Sequence, residues 1–223
     1  MGFRDRSDAG RALAQALAKY SGEQPVVLAL PRGGVPVAAE VAAALNAPLD
    51  LILVRKIGVP TQPELAMGAV ADGDKPVVVR NEDVIQMAAI KDSEFKEVCD
   101  QELAEIERRR QRYLGDRARV EVAGRTAIVI DDGIATGATT RVALRVTRMR
   151  GPKKLVLATP VAPTDTMIAL HGEADEVVCL EEHEFFGAIG FYYADFRQTS
   201  DQEVIDILAR FPMPAPPAPP AAA

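Results

Sequence analysis

The most informative part of this chain is residues 127–140, with the sequence AIVIDDGIATGATT. Its first four residues are apolar, which is typical of a strand buried on both faces of a parallel sheet. Asp131 and Asp132 follow this strand, and a turn rich in glycine and threonine leads into a helix. The start of a helix directs free N–H groups and the positive end of its dipole at one point, which favours an anion, while ionised carboxylates accept hydrogen bonds from hydroxyls. The segment therefore predicts a site for a diol next to a phosphate, as in ribose 5-phosphate.

The same segment resembles the phosphoribosyl pyrophosphate (PRPP) motif of type I phosphoribosyltransferases. In that family the acidic pair binds the ribose 2′- and 3′-hydroxyls, and the loop after it binds the 5-phosphate. The resemblance assigns Asp131 and Asp132 to the ribose, and it assigns the phosphate loop to Ala135, Thr136, Gly137, Ala138 and Thr139. Other nucleotide motifs fit poorly, because no lysine follows the second glycine as in a P-loop and the G-x-G-x-x-G spacing is absent.

Composition limits the class of protein and its partners. The chain has 223 residues, a net charge of −6 and two cysteines, and 48% of its residues are hydrophobic. This length suits one ample core. The charged start does not resemble a signal peptide, and no apolar run is long enough to span a bilayer. These features predict a cytoplasmic protein without a membrane partner, and the acidic balance argues against a nucleic-acid partner.

The rest of the chain alternates strands with helices, which predicts an α/β fold with a mostly parallel sheet. Strands are expected at 26–30, 49–54, 127–130, 155–159 and 177–180, with a short strand at 77–79 in a projecting hairpin. Helices are expected at 35–45, 81–113, 138–150 and from 200 onward, where Ser200 and Glu203 suit a capping box; an earlier helix would be capped by Ser7. The loops that follow Leu30, Val54, Ile130 and Thr159 should then share one edge of the sheet.

The resemblance implies a Rossmann-like type I phosphoribosyltransferase core with a small hood. We assign residues 1–211 to this domain, with residues 181–200 forming part of the hood. Residues 212–223 are rich in proline and alanine, which predicts a disordered tail.

A second chemical element follows the first predicted strand. Gly33 and Gly34 allow backbone N–H groups to approach a diphosphate, and Arg32 adds a permanent charge with forked donors. By resemblance this is the family's pyrophosphate loop, in which the peptide before the basic residue can be cis; here that peptide joins Pro31 to Arg32. Arg55 and Lys56 follow a later strand as further diphosphate ligands, and the segment after them is expected to be a mobile flap. The arginines of residues 108–112 are interpreted as a solvated helix end.

The acceptor is less well specified. In 6-oxopurine transferases an aspartate that acts on the base occupies the position of Ala135, and Ala135 cannot perform acid–base chemistry. Glu64 is the candidate for proton transfer. Residues 181–196 contain most of the aromatic side chains, and Phe186 and Tyr192 are candidate base contacts, although most of these rings are expected to pack onto the core.

The predicted reaction transfers a 5-phosphoribosyl group from PRPP to a nitrogenous base or amine, with release of pyrophosphate. Mg²⁺ is expected to arrive on the diphosphate rather than in a protein metal site, and Asp131, Asp132, Lys56 and Glu64 are the candidate catalytic residues. The alternative is a non-catalytic regulatory protein of the same fold that senses PRPP. A phosphosugar hydrolase fits poorly, because the nucleophile and metal ligands that it needs are missing. A homo-oligomer remains open.

Overall fold

The computed structural model of the protein describes residues 2–72 and 76–211. The predicted proline- and alanine-rich tail at 212–223 lies outside the described residues. The strands are β1 (Val26–Ala29), β2 (Leu49–Leu51), β3 (Val54–Val59), β4 (Gln62–Ala71), β5 (Val77–Arg80), β6 (Thr126–Ile130), β7 (Lys154–Pro163) and β8 (Glu176–His183). The helices are α1 (Arg6–Ala16), α2 (Gly34–Leu45), α3 (Glu82–Met87), α4 (Asp92–Leu114), α5 (Ala138–Met149), α6 (Thr164–Leu170) and α7 (Asp201–Ala209).

The main sheet consists of five parallel strands in the order β2-β1-β6-β7-β8. Successive residues of β6 face opposite cores, since Ile128 and Ile130 pack with α2, α4 and α7, whereas Ala127 and Val129 pack with α5 and α6. All five residues of β6 are buried. The predicted α/β fold with a parallel sheet is therefore confirmed, and the central strands β1 and β6 are apolar because both of their faces are covered.

The strand order reverses between β1 and β6. The chain passes from β1 outward to β2 on one side, while β6, β7 and β8 extend on the other. In open parallel sheets the loops diverge at such a point and leave a crevice at the carboxyl ends of the strands. The loops that follow β1 and β6 are those that carry Arg32-Gly33-Gly34 and the Asp131–Asp132 pair, so both lie at this crevice.

A second, three-stranded antiparallel sheet has the order β3-β4-β5. It confirms the prediction that the strand near residue 78 lies outside the main sheet. The predicted strand at 49–54 is wrong in its second half, because β2 ends at Leu51 and Val54 already begins β3. The segment after Lys56, which we predicted to be a mobile flap, forms the β3–β4 hairpin, and its mobility stays a prediction.

The helices differ from the predicted ones at three places, which are the cap of α1, the division of residues 81–113 and the additional helix α6. Asp5, not Ser7, caps α1 by accepting a hydrogen bond from the backbone N–H of Asp8 at 2.8 Å. The helix expected at 81–113 is divided into α3 and α4, because Ala89 adopts a left-handed conformation with φ of 51°. The Ser200–Glu203 capping box of α7 is confirmed. Within the described residues, no helix is long and apolar enough to cross a membrane.

Candidate active site

The turn after β6 is shaped to approach a ligand closely. Gly137 caps α5 with a φ of 71°, a left-handed conformation that favours glycine. On one side of the turn, the backbone N–H of Ile134 donates to the carbonyl of Val161 at 3.0 Å. On the other side, Thr166 Oγ1 donates to the carbonyl of Ala135 at 2.7 Å. These two hydrogen bonds hold the turn in place. The predicted phosphate-loop residues Ala135, Thr136, Ala138 and Thr139 are exposed around the start of α5.

The predicted pyrophosphate loop packs directly against the acidic pair. A Cβ atom added to Gly33 would lie 2.1 Å from Asp132 Oδ2, and one added to Gly34 would lie 2.8 Å from the carbonyl oxygen of Ile130. The Leu30 N–H also donates to that Ile130 carbonyl at 2.9 Å. The two glycines are therefore required by the space available, not only by turn geometry. The peptide between Pro31 and Arg32 is cis, as the resemblance implied.

The two carboxylates have different surroundings. Burial, together with the neighbouring charge of Asp132, raises the pKa of Asp131 well above its usual range. Asp132 instead forms an ion pair with Arg6, whose Nε lies 2.6 Å from Asp132 Oδ2, and both side chains are 11% exposed. The guanidinium of Arg6 thus holds the Asp132 side chain in place. The pair is thus one carboxylate fixed by an arginine beside one whose ionisation is costly.

Arg6 and Tyr193 are site residues that the sequence did not indicate. Arg6 Nη1 donates to the carbonyl of Arg197 at 2.7 Å, and its guanidinium lies 4.0 Å from the centre of the Phe196 ring. Tyr193 donates its hydroxyl to the backbone carbonyl of Asp132 at 2.5 Å. Burial, followed by the charge of Asp132, raises the pKa of Tyr193, so its hydroxyl stays protonated as a donor. Arg6 and Tyr193 therefore hold both the side chain and the backbone of Asp132.

A cleft of about 810 Å³ lies between the phosphate loop and the second sheet. Thr136 in the loop before α5 and Thr139 in α5 line it, and Lys56 lines it from β3. The structure therefore brings Lys56 together with the phosphate loop. Lys56 Nζ also lies 3.1 Å from a carboxylate oxygen of Glu64, whose side chain is 96% exposed. Two of the predicted catalytic residues, Lys56 and Glu64, consequently form an exposed ion pair at the edge of the cleft.

The other two predicted diphosphate ligands also have carboxylate partners. Arg55 Nε lies 2.6 Å from Glu102 of α4, in a different groove from the one that Thr136 and Thr139 line. Arg32 Nη1 lies 3.5 Å from Asp201 at the start of α7. Of the predicted cations, Lys56 faces the phosphate loop, Arg32 lies next to the glycines, and Arg55 is directed away from the cleft.

The aromatic segment packs largely on itself. Tyr192 stacks between His183, at a centroid distance of 4.4 Å, and Phe186, at 5.0 Å. Ile189 of the same segment lies against Gly133, where an added Cβ would be 2.4 Å from Ile189 Cγ2. The candidate base contacts Phe186 and Tyr192 are therefore parts of a cluster that covers the turn after Asp132. In the same segment, Phe185 and Phe191 are exposed.

Comparison with known proteins agrees with this geometry. A family model of the phosphoribosyl transferase domain matches residues 6–196. The chain belongs to the phosphoribosyl transferase family. Among solved structures, TT1426 of Thermus thermophilus superimposes with a TM-score of 0.83 and 41% sequence identity, and the match covers 96% of this chain and 100% of that one. The predicted family and the type I phosphoribosyltransferase fold are both confirmed.

Two curated proteins of Mycobacterium tuberculosis, from strains CDC 1551 and H37Rv, are named provisionally as phosphoribosyl transferases. Each is 50% identical to this phosphoribosyl transferase domain over 208 residues, which cover 93% of this chain. The same alignment covers 46% of each relative, so the chain spans about half their length.

Proposed function

We propose that this protein uses PRPP and Mg²⁺ to transfer a 5-phosphoribosyl group to a nitrogenous base or amine. In this reaction a bond forms between C1 and the acceptor nitrogen, while the C1–O bond breaks and its electron pair leaves with pyrophosphate. The observation that carries the proposal is the contact of Gly33 and Gly34 with the Asp131–Asp132 turn at the point where the strand order reverses. This contact puts the candidate diphosphate, ribose and 5-phosphate sites side by side, as PRPP requires.

The two carboxylates take different parts in this proposal. Asp131 accepts hydrogen bonds from the ribose hydroxyls, and the donors of the diol offset the cost of its buried charge. Asp132 is fixed by Arg6 and Tyr193, and it keeps the turn and the pyrophosphate loop in their relative positions. The exposed N–H groups and hydroxyls at the start of α5, including those of Thr136 and Thr139, bind the 5-phosphate.

The leaving group is bound by the backbone of Gly33 and Gly34 with the cations beside it. Lys56 and Arg32 exchange their carboxylate partners, Glu64 and Asp201, for phosphate oxygens. Mg²⁺ would be held by oxygens of the diphosphate and would supply positive charge that neutralises part of the leaving group. Rate enhancement then rests on positioning and on stabilisation of charge, because no covalent nucleophile is needed.

Proton transfer from the acceptor is assigned to Glu64. In the free protein this carboxylate is paired with Lys56 at the edge of the cleft. When Lys56 turns to the diphosphate, Glu64 is released from this ion pair on β4 of the second sheet, across the cleft from the phosphate loop. One exchange of partners thus supplies both a cation for the leaving group and a base for the acceptor.

A turnover assay tests the proposal. Purified protein is incubated with PRPP, Mg²⁺ and a panel of nitrogenous bases and amines, and pyrophosphate release is measured. The variant Asp131→Asn/Asp132→Asn should lose PRPP binding by calorimetry and all acceptor-dependent release. Asp175→Asn is the matched control, because this carboxylate pairs with Arg148 before the start of β8, away from the crevice. PRPP binding without release for any acceptor would indicate a sensor instead, and unchanged PRPP affinity in the folded double variant would refute the site.

A further inference from the structure

A small cavity of about 200 Å³ adjoins the pyrophosphate loop at Pro31 and Arg32. It is enclosed by that loop, by the last turns of α4 and by the start of α7. Its charged lining consists of Arg32, Arg108, Arg109, Arg112 and Asp201. The sequence pattern suggested a solvated helix end at residues 108–112, but the fold places three of these arginines around a concave surface with a fourth from another loop.

An internal carboxylate occupies part of this cavity. Asp201 accepts a hydrogen bond from the hydroxyl of Tyr113 at 2.6 Å and lies 2.8 Å from Arg112 Nη1 and 3.5 Å from Arg32 Nη1. The Tyr113 hydrogen bond, and then the charge of Arg112, lower the pKa of Asp201. Tyr113, Arg112 and Arg32 therefore stabilise an anion in this cavity.

The carboxylates nearby do not balance the arginines. Glu105 binds both Arg108 and Arg109, at 2.7 Å in each case, and Asp201 binds Arg112 and Arg32. Four guanidinium groups thus share two carboxylates, which leaves an excess of two positive charges. Arg108 and Arg112 remain about half exposed, at 59% and 51%, so their free donors are accessible from solvent. Forked guanidinium donors match phosphate oxygens in geometry as well as in charge.

We propose that this arginine cavity is a second anion-binding site, which takes a diphosphate group at a position separate from the PRPP cradle. Its small volume suits a compact diphosphate and would leave an attached nucleoside to project into solvent. None of the phosphate-loop residues lines this cavity, and none of its α4 arginines lines the cleft beside the phosphate loop.

The cavity is connected to the pyrophosphate loop through Arg32. A diphosphate bound among the α4 arginines would compete with Asp201 for Arg32 and hold this side chain away from the neighbouring glycines. By linkage, occupation of the cavity would then weaken PRPP, and PRPP would weaken the anion by the same factor. This coupling rests on the proposed function, whereas anion binding in the cavity does not.

Calorimetric titration with inorganic pyrophosphate, without Mg²⁺, tests the proposal. We expect two classes of site in the unmodified protein and the loss of one class in Arg108→Ala/Arg112→Ala. The control Arg11→Ala/Arg148→Ala removes two exposed arginines that also pair with carboxylates but lie outside both cavities, and it should retain both classes. A second arm with ADP should show the same loss if the diphosphate alone is recognised. Loss in the ADP arm only would contradict a diphosphate site.

Asp201→Asn provides a change of opposite sign. It removes the internal anion but keeps an oxygen that can accept from Tyr113, so pyrophosphate should bind the cavity roughly tenfold more tightly.

If Arg108→Ala/Arg112→Ala proves unstable, Arg108→Gln/Arg112→Gln and Asp201→Asn still decide the question. Unchanged titrations in these variants, equal weakening in the control, or a change in oligomeric mass without a change in pyrophosphate binding would each overturn the proposal. Failure of the PRPP site would instead appear in Asp131→Asn/Asp132→Asn, with the cavity unaffected.

Discussion

At the level of single residues, the cations at the crevice already have internal anionic partners. Arg32 lies 3.5 Å from Asp201, and Lys56 lies 3.1 Å from Glu64. A phosphate ligand must therefore replace an existing contact with a stronger one. Exposed ion pairs contribute little to stability, so this exchange costs little, and charge-assisted bonds to a diphosphate more than compensate for it.

Arg32→Ala should weaken PRPP more than ribose 5-phosphate, because only PRPP presents a diphosphate to this side chain. Loss of a charge-assisted hydrogen bond should cost about 1.5–3 kcal/mol of PRPP binding free energy. Calorimetry with both ligands measures the difference, and Arg148→Ala serves as the control because it pairs with Asp175 outside the site. Equal losses for the two ligands would place Arg32 outside the diphosphate site.

We expect the acceptor preference to depend on Ala135. This residue is exposed and its methyl side chain offers no acceptor to a base, while its backbone carbonyl already accepts a hydrogen bond from Thr166 Oγ1 at 2.7 Å. Hypoxanthine and guanine should therefore be poor substrates, and adenine or another amine-bearing ring should be preferred. Ala135→Asp should shift kcat/KM toward the 6-oxopurines, since a carboxylate there can accept from a ring N–H. Efficient turnover of hypoxanthine by the unmodified protein would contradict this expectation.

At the level of elements, the glycines of the pyrophosphate loop are fixed by strand packing. Gly33 has an ordinary helical φ of −60°, so its requirement comes from the 2.1 Å approach of an added Cβ to Asp132 Oδ2. Asp132 cannot move aside easily, because Arg6 and Tyr193 hold it.

Gly33→Ala should therefore destabilise the fold by about 1–3 kcal/mol, the usual cost of overpacking, and should remove PRPP binding. Gly22→Ala is the matched control, since a Cβ there meets no atom within 4 Å and should leave both properties unchanged. Urea denaturation and PRPP calorimetry measure the two effects. A fully stable Gly33→Ala variant with normal PRPP affinity would show that the loop does not need to approach Asp132.

The elements that could be predicted from sequence are those whose signal is local. The apolar run before Asp131 and the glycines after residues 26–30 identified β1, β6 and their loops. The β3–β4 pairing was not predicted, because register shifts at Ile57, Gly58 and Val59 disturb the regular alternation of side chains in β3. The break between α3 and α4 was missed because it depends on a positive φ at Ala89, in a segment without glycine or proline.

The site was predictable only in part, because only some of its residues are close together in the sequence. Asp131, Asp132 and the start of α5 are consecutive in the chain, so their spacing carries the information. Arg6 and Tyr193 lie 126 and 61 residues from Asp132, and only the packing of α1 and of the segment after β8 brings them together. Similarly, the cavity beside Arg32 combines α4 and α7, which no local pattern relates.

At the level of the whole molecule, the predicted ribose site carries a cost in stability. The pKa of Asp131 is raised by burial and by Asp132, so its carboxylate form is disfavoured in the folded state. Protonated Asp131 therefore contributes to the stability of the folded state. This contribution is fully present below the unfolded-state pKa of about 3.9 and is lost as the pH rises through the higher pKa of the folded state. Ionisation of Asp131 therefore destabilises the folded protein, and the donors of a bound ribose would compensate for this charge.

Asp131→Asn should accordingly stabilise the free protein at pH 8 while it removes PRPP binding, with a gain on the order of 1.4 kcal/mol for each unit by which the pKa is raised. The gain should shrink toward pH 4, where Asp131 is protonated in the folded state and becomes protonated in the unfolded state as well. Asp175→Asn should behave in the opposite way, since a hydrogen bond from Arg148 lowers the pKa of Asp175; that variant should be destabilised at pH 8 and less so as the pH falls. Urea unfolding of the three proteins at both pH values measures these differences. If Asp131→Asn is less stable than the unmodified protein at pH 8, the Asp131 carboxylate stabilises the fold, which contradicts this expectation.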